Sequence, residues 1–198
     1  MTYDELEQTF QAQAGLQTLD ATDKFFFLSS LNLHAKDAWH RAKWPELLSV
    51  TEHSVSSSGG FTNITSSITG DVLAVYDKNP WVDISANTIN YTLMGDKIAL
   101  QPRYPNSSVF ILEKTAFVPY SDSSTNIPEF LEAYLASAIL ASFFRGDGQY
   151  DKAGVEEQRA EEFLLRQIDR VERTQNQNAP LVGTYYTNSQ SRQIFQTT

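Results

Sequence analysis

The stretch Ala38-Trp-His-Arg-Ala-Lys-Trp-Pro-Glu-Leu-Leu-Ser-Val-Thr-Glu-His-Ser-Val55 is where one periodicity gives way to another. Upstream of it, Phe25, Leu28, Leu31, Ala35, Ala38, Trp39 and Ala42 recur at steps of three and four, the spacing of one helix face. Asp20 or Thr22 can cap that helix, and Trp44, held out of the helical region by Pro45, stops it. Still nearer the start, Thr2 and Glu5 have capping-box spacing, Leu6 and Phe10 give a short helix its apolar edge, and Gly15 can end it.

Downstream, short β-branched or aromatic runs follow at 47–55, 61–68, 72–77, 87–94, 97–101 and 108–114. Gly59-Gly60, Gly70-Asp71, Asn79-Pro80, Gly95-Asp96 and Pro105-Asn106 punctuate them with turn-forming residues. The clearest hairpin joins Asn87–Met94 to Lys97–Gln101 through Gly95-Asp96. Helical spacing returns after Asn126, a candidate cap, with Pro128 expected in the first turn.

The helix over 128–145 is apolar almost all round and must be covered on several sides. Gly146-Asp147-Gly148 breaks it, and a last helix over 149–175 carries Tyr150, Ala153, Ala160, Phe163, Leu164, Ile168 and Val171 on its apolar side. Glu162 with Arg166 and Asp169 with Arg173 are i,i+4 pairs that support the helix without marking a site. The expected fold class is therefore α+β: a helical bundle of about three main helices, an inserted small antiparallel β domain and an extended C-terminal arm. Its domains are expected at 1–46 with 124–176 (helical), 47–123 (β) and 177–198 (arm). Helix packing between subunits is expected at Phe130, Tyr134, Phe143, Phe144, Phe163, Leu164 and Ile168.

The arm is polar but interrupted by Leu181, Val182, Tyr185, Tyr186, Ile194 and Phe195. Ordering roughly 20 residues costs about 1–2 kcal/mol each, and burying these anchors returns only about 1.5–3 kcal/mol apiece. Such an arm orders on a partner that supplies the remainder.

Composition limits the chemistry. No cysteine is present among the 198 residues, which removes disulfides, thiolate catalysis and cysteine-bound zinc. A net charge of −9 disfavours sequence-specific DNA binding. Asp4, Glu5 and Glu7 stand where a signal peptide needs positive charge, and the longest apolar stretch, Tyr134 to Phe144, is too short to span a bilayer, so a soluble chain is expected.

His34, His40 and His53 lack metal-binding helical spacing, and no P-loop, dinucleotide fingerprint or nucleophile elbow occurs. The serines at 54–58 and 121–124 read as loop residues, and Asp147 with Asp151 lacks the alternating ligands of a calcium loop. Glu156, Glu157, Glu161 and Glu162 read as a solvated helix face rather than as paired catalytic carboxylates. Arg145-Gly146-Asp147 falls where a helix terminator is expected, and Asn63, Asn90 and Asn106 begin glycosylation sequons without a secretory route. Trp39, Trp44 and Trp81 read as core or interface anchors. No catalytic residue, cofactor or metal is expected.

Two segments carry a resemblance. The first is Asn32-Leu-His-Ala-Lys-Asp-Ala-Trp39 with Lys43-Trp-Pro-Glu-Leu47. The second runs from Ile127-Pro-Glu-Phe-Leu-Glu-Ala-Tyr134 through Phe144-Arg-Gly-Asp-Gly-Gln-Tyr-Asp-Lys-Ala153 into the Glu-, Ala- and Arg-rich helix. Together with the order helix, β unit, helix pair and tail, they resemble the head-to-tail adaptor, or connector, proteins of tailed bacteriophages, including the podovirus tail tubular A type.

The resemblance implies a non-enzymatic virion protein, made in the host cytoplasm, whose helices form a ring, usually dodecameric, on the portal. It implies that the β part faces the next neck or tail protein and that the arm, through Leu181, Val182, Tyr185, Tyr186, Ile194 and Phe195, docks on the portal. Genomic DNA would pass through the channel without sequence recognition, and no membrane is involved. The alternatives are another neck or tail ring protein, such as a tail terminator or completion protein, and a small hydrolase using Glu or His between the β unit and the helices.

Overall fold

A computed structural model describes residues 1–58, 61–64, 70–94, 97–100, 107–121 and 126–177. The fold is α+β. Two compact units share the chain: a helical unit of residues 1–38 and 120–198, and a β unit of residues 39–119.

In the helical unit, α1 (Tyr3–Ala14) starts on the capping box, with the Thr2 hydroxyl accepting from the Glu5 amide and the Glu5 carboxylate accepting from the Thr2 amide. It ends at Gly15, whose φ of 74° is the left-handed conformation that glycine adopts without a Cβ penalty. For α2 (Ala21–Arg41) the cap is Asp20, whose carboxylate accepts from the Thr22 and Asp23 amides at 2.7 and 2.8 Å.

The buried side of α2 runs Phe27, Ser30, Leu31, Ala35 and Ala38. Phe25, expected on that side, is 73% exposed. Three consecutive phenylalanines span about 200° of a helix at 3.6 residues per turn, so they cannot all face inward. Phe27 wins the core because Tyr3 meets its ring edge-on at 5.4 Å and Phe10 packs on it at a tilt at 5.3 Å.

α3 (Glu129–Gly146) begins with Pro128 as its N-terminal flanking residue, and Asn126 caps nothing: it bridges to Thr2 instead. Leu131, Tyr134, Leu135, Ser137, Ala138, Ile139, Leu140, Ala141 and Phe144 are all buried, so almost the whole circumference is covered. α4 (Tyr150–Gln177) follows after Gly148, at φ 75°. It buries Ala153, Ala160 and Leu164, while Tyr150, expected on that face, is exposed.

The β unit holds the last turn of α2, a 3-10 turn at Pro45–Leu47 and six strands. These are β1 (Leu48–Ser58), β2 (Phe61–Ile64), β3 (Asp71–Tyr76), β4 (Tyr91–Met94), β5 (Lys97–Leu100) and β6 (Ser108–Lys114), in the order β3-β6-β1-β2-β5-β4 with every neighbour antiparallel. β1 serves twice: residues 48–54 pair with β6 and 55–58 with β2. The hairpin β4–β5 has the expected register, Met94 opposite Lys97, while its turn Gly95-Asp96 lies outside the described residues.

The chain leading into β4 returns to β3 through the bridge Tyr76–Thr88 and a 2.8 Å bond from the Ile89 amide to the Val75 carbonyl. The core of the unit is the cluster of Val75, Ile98, Leu100, Val109 and Ile111, with Val55, Val72, Ile89 and Tyr91 packed against it.

The first division between the two units falls inside α2, between Ala38 and Trp39. Trp39 donates its indole N–H to the Thr115 carbonyl at 2.8 Å, and the buried Lys114 ammonium donates to the Trp39 and Ala42 carbonyls at 2.5 and 2.8 Å. A cation on the last carbonyls of a helix satisfies groups that have no helical partner. That ties the end of α2 to β6.

Candidate functional site

The residues with chemical potential are scattered. His34 shares a 2.8 Å hydrogen bond with the Ser142 hydroxyl and meets the Tyr134 ring edge-on at 6.3 Å. His40 is exposed in the last turn of α2. Among the described residues no three His, Asp or Glu side chains come together as a metal set.

The acidic face of α4 is paired with arginines: Glu156 with Arg159 at 2.7 Å, Glu162 with Arg166 at 3.3 Å, and Glu157 with Arg145. Arg145 of the Arg-Gly-Asp tripeptide is thus engaged within the chain, and Asp147 accepts from the Gln149 side chain. Trp39 and Trp44 are buried and Trp81 is exposed.

A polar trio inside the β unit carries no sequence motif. His53 and Glu113 are both buried and lie 3.1 Å apart, and the Thr51 hydroxyl donates to the same Glu113 oxygen at 2.7 Å. Strand register explains the meeting: His53 stands opposite Val109 and Thr51 opposite Ile111, so both share the face of Glu113. The alternation Thr51, His53, Val55 was the available signal. The buried, mutually hydrogen-bonded arrangement supports the strand pair.

Seven residues were expected at subunit contacts. Tyr134, Phe144 and Leu164 are buried within the single chain, whereas Phe130, Phe143, Phe163 and Ile168 are half-buried. Phe143 lies against Phe10 at 5.3 Å, and the Arg166 guanidinium sits over Phe163 at 6.0 Å. Among the described residues, Phe25 and Leu33 on α2 and Tyr150, Val155 and Leu165 on α4 are large apolar side chains that stay exposed on these helices. Leu181, Val182, Tyr185, Tyr186, Ile194 and Phe195 lie outside the described residues.

Burial also sets the protonation of a few groups. It raises the Tyr3 and Tyr120 phenols and lowers the Lys114 ammonium, the latter opposed by nearby Asp71. Hydrogen bonds from Ser85, with Lys78 nearby, pull the Asp83 carboxyl down to about 2.

Among the described residues no helix is long and apolar enough to cross a membrane. Compared with known proteins, the sequence matches no family model and no curated relative.

Proposed function

We propose that this chain is a head-to-tail adaptor of a tailed bacteriophage, a structural virion protein that assembles as a ring on the portal and joins the capsid to the tail. The observation that carries this reading is the chain order. A helical unit is interrupted, from inside α2 to just before α3, by a β unit of residues 39–119, and the sequence after α4 is polar with the apolar residues Leu181, Val182, Tyr185, Tyr186, Ile194 and Phe195. The residues bearing the resemblance to adaptors, 32–47 and 127–153, fall at the ends of that interruption and at the α3–α4 turn.

The open apolar side chains on α2 and α4 suit contact with identical neighbours, since a side chain such as Leu, Val or Phe gains about 1.5–3 kcal/mol when fully covered. In this reading residues 178–198 hold the portal.

Mass measurement of the chain alone and mixed with the portal tests the assignment. A ring stoichiometry on the portal, with residues 178–198 protected from protease only when mixed, is the expected result. A chain that leaves the portal mass unchanged and whose arm is clipped equally fast in both samples overturns it.

A further inference from the structure

The loop between β3 and β4 combines a densely hydrogen-bonded backbone with an apolar tip. Its neck is closed by the Asp77 amide on the Asn87 carbonyl at 3.1 Å and the Asn87 amide on the Asp77 carboxylate at 2.6 Å. Two turns follow in succession. In Asn79-Pro80-Trp81-Val82 the Asn79 carbonyl accepts from the Val82 amide and its side chain from the Trp81 amide; in Asp83-Ile84-Ser85-Ala86 the Asp83 carbonyl accepts from Ala86 and its carboxylate from Ser85. Lys78 closes the set with an ion pair to Asp83 at 3.1 Å.

This framework satisfies its own polar groups and turns outward Trp81 at 63%, Val82 at 81% and Ile84 at 104% exposure. A tip held by these hydrogen bonds has less freedom to lose on contact than an open loop of the same length. Tryptophan is also the residue type most often found to dominate an interface.

We propose that the Trp81–Ile84 tip is a plug for an apolar pocket, rimmed by Lys or Arg, on the neck or tail protein that follows this one in the particle; this rests on the adaptor reading above. Charge selects a protein pocket over the other occupants. Asp83 sits between Val82 and Ile84, is held ionised by its hydrogen bonds, and shares with Asp77 a single balancing cation, Lys78. A bilayer would have to take that carboxylate in with the tip, whereas a basic rim meets it directly.

A second copy would bring a reduced set of cations to such a rim: of the fifteen Lys and Arg side chains, Lys24, Lys78, Arg145, Arg159, Arg166 and Arg173 already hold a carboxylate of their own chain. In this reading the portal is held by 178–198, which leaves the β-unit tip for the component beyond.

The test is made in assembled particles with Trp81→Ser/Ile84→Ser, two exposed positions whose replacement leaves the core intact. Heads are expected to carry the variant chain in wild-type amount and to lose the following protein, with purified binding to it weakened roughly thirtyfold or more. A benzophenone amino acid in place of Val82 should crosslink to that protein, and wild-type binding should weaken as salt is raised.

Tails retained by the double variant, a crosslink to the portal or to an identical copy, or Trp81-dependent binding to phosphatidylserine/phosphatidylcholine vesicles would each overturn the plug. Absence of the wild-type chain from the neck would overturn the adaptor reading itself, a result the variant experiments cannot mimic.

Discussion

The helical unit hides rings against rings, while the β unit hides a carboxylate, an imidazole and an ammonium among its strands. Phe10, Phe27 and Phe143 share edge and tilted contacts at 5.3 Å in the first. In the second, Glu113 and Lys114 are adjacent on β6, both buried, and point to opposite faces of the sheet. A helix can present one wide stripe and leave its backbone satisfied, so its core can be purely apolar. A six-strand sheet with strands as short as four residues has a smaller core to fill, and His53 and Glu113 take places on the same face as Val109 and Ile111.

The two cores should therefore fail by different physics. The largest effect is expected from Phe27→Ala, which removes a fully buried ring touching Tyr3 and Phe10 and leaves a cavity costing about 3–5 kcal/mol. Urea denaturation followed by far-ultraviolet circular dichroism measures it. A loss below about 1 kcal/mol would mean the aromatic cluster is not the centre of that core.

In the β unit the direction of change should depend on how many partners are removed. Glu113→Ala strips the acceptor shared by Thr51 and His53 and should cost about 1–3 kcal/mol. Replacing all three together, Thr51→Val with His53→Leu and Glu113→Leu, should recover most of that loss, because no polar group is then left stranded. All three tryptophans, Trp39, Trp44 and Trp81, lie in the β unit, so their fluorescence reports it selectively. A triple variant weaker than the single one would show that the trio contributes net stability beyond satisfying itself.

Gly70→Ala comes next, at about 1–3 kcal/mol, because a Cβ there would stand 2.2 Å from the Lys114 carbonyl oxygen, where backbone must yield to backbone. A crystal structure or amide-exchange map of the variant should show the β3–β6 register disturbed near Asp71. An unchanged register with unchanged stability would show that the two strands separate there at little cost.

How much of this was legible follows the same division. Helix ends with local chemistry, such as Thr2 with Glu5 and Gly15, read directly, because a cap is decided by residues three or four apart. The β4–β5 hairpin read for the same reason. Phe25 misled because period alone does not choose among Phe25, Phe26 and Phe27; contacts from α1 and α3 do. His53 meeting Glu113 depends on pairing across sixty residues, which nothing local specifies. Asn79-Pro80 was readable as a turn, but the exposure of Trp81 depended on the side-chain bonds of Asn79 and Asp83, which set the loop's direction.

The smallest predicted effect probes the contrast through alkaline pH. Tyr3 and Tyr120, both in the helical unit, have phenols raised above the ordinary 10.0 by burial. The unfolded chain therefore gives up those protons first, so the stability they contribute is full below pH 10.0 and lost as pH climbs through the folded values. Lys114 in the β unit is shifted the other way, below 10.5. Between its folded value and 10.5 the unfolded chain binds more protons, and the β unit gains stability as the buried ammonium becomes an amine. That amine keeps two N–H groups, enough for the Trp39 and Ala42 carbonyls. From about pH 9 to about pH 11 the urea midpoint read by circular dichroism should fall further than the midpoint read by tryptophan fluorescence. Tyr3→Phe with Tyr120→Phe should narrow the gap from the helical side, and Lys114→Met should narrow it from the other. Midpoints that move together at every pH would mean the two units unfold as one, and the difference between a ring-lined core and an ion-lined core would then have no separate thermodynamic expression.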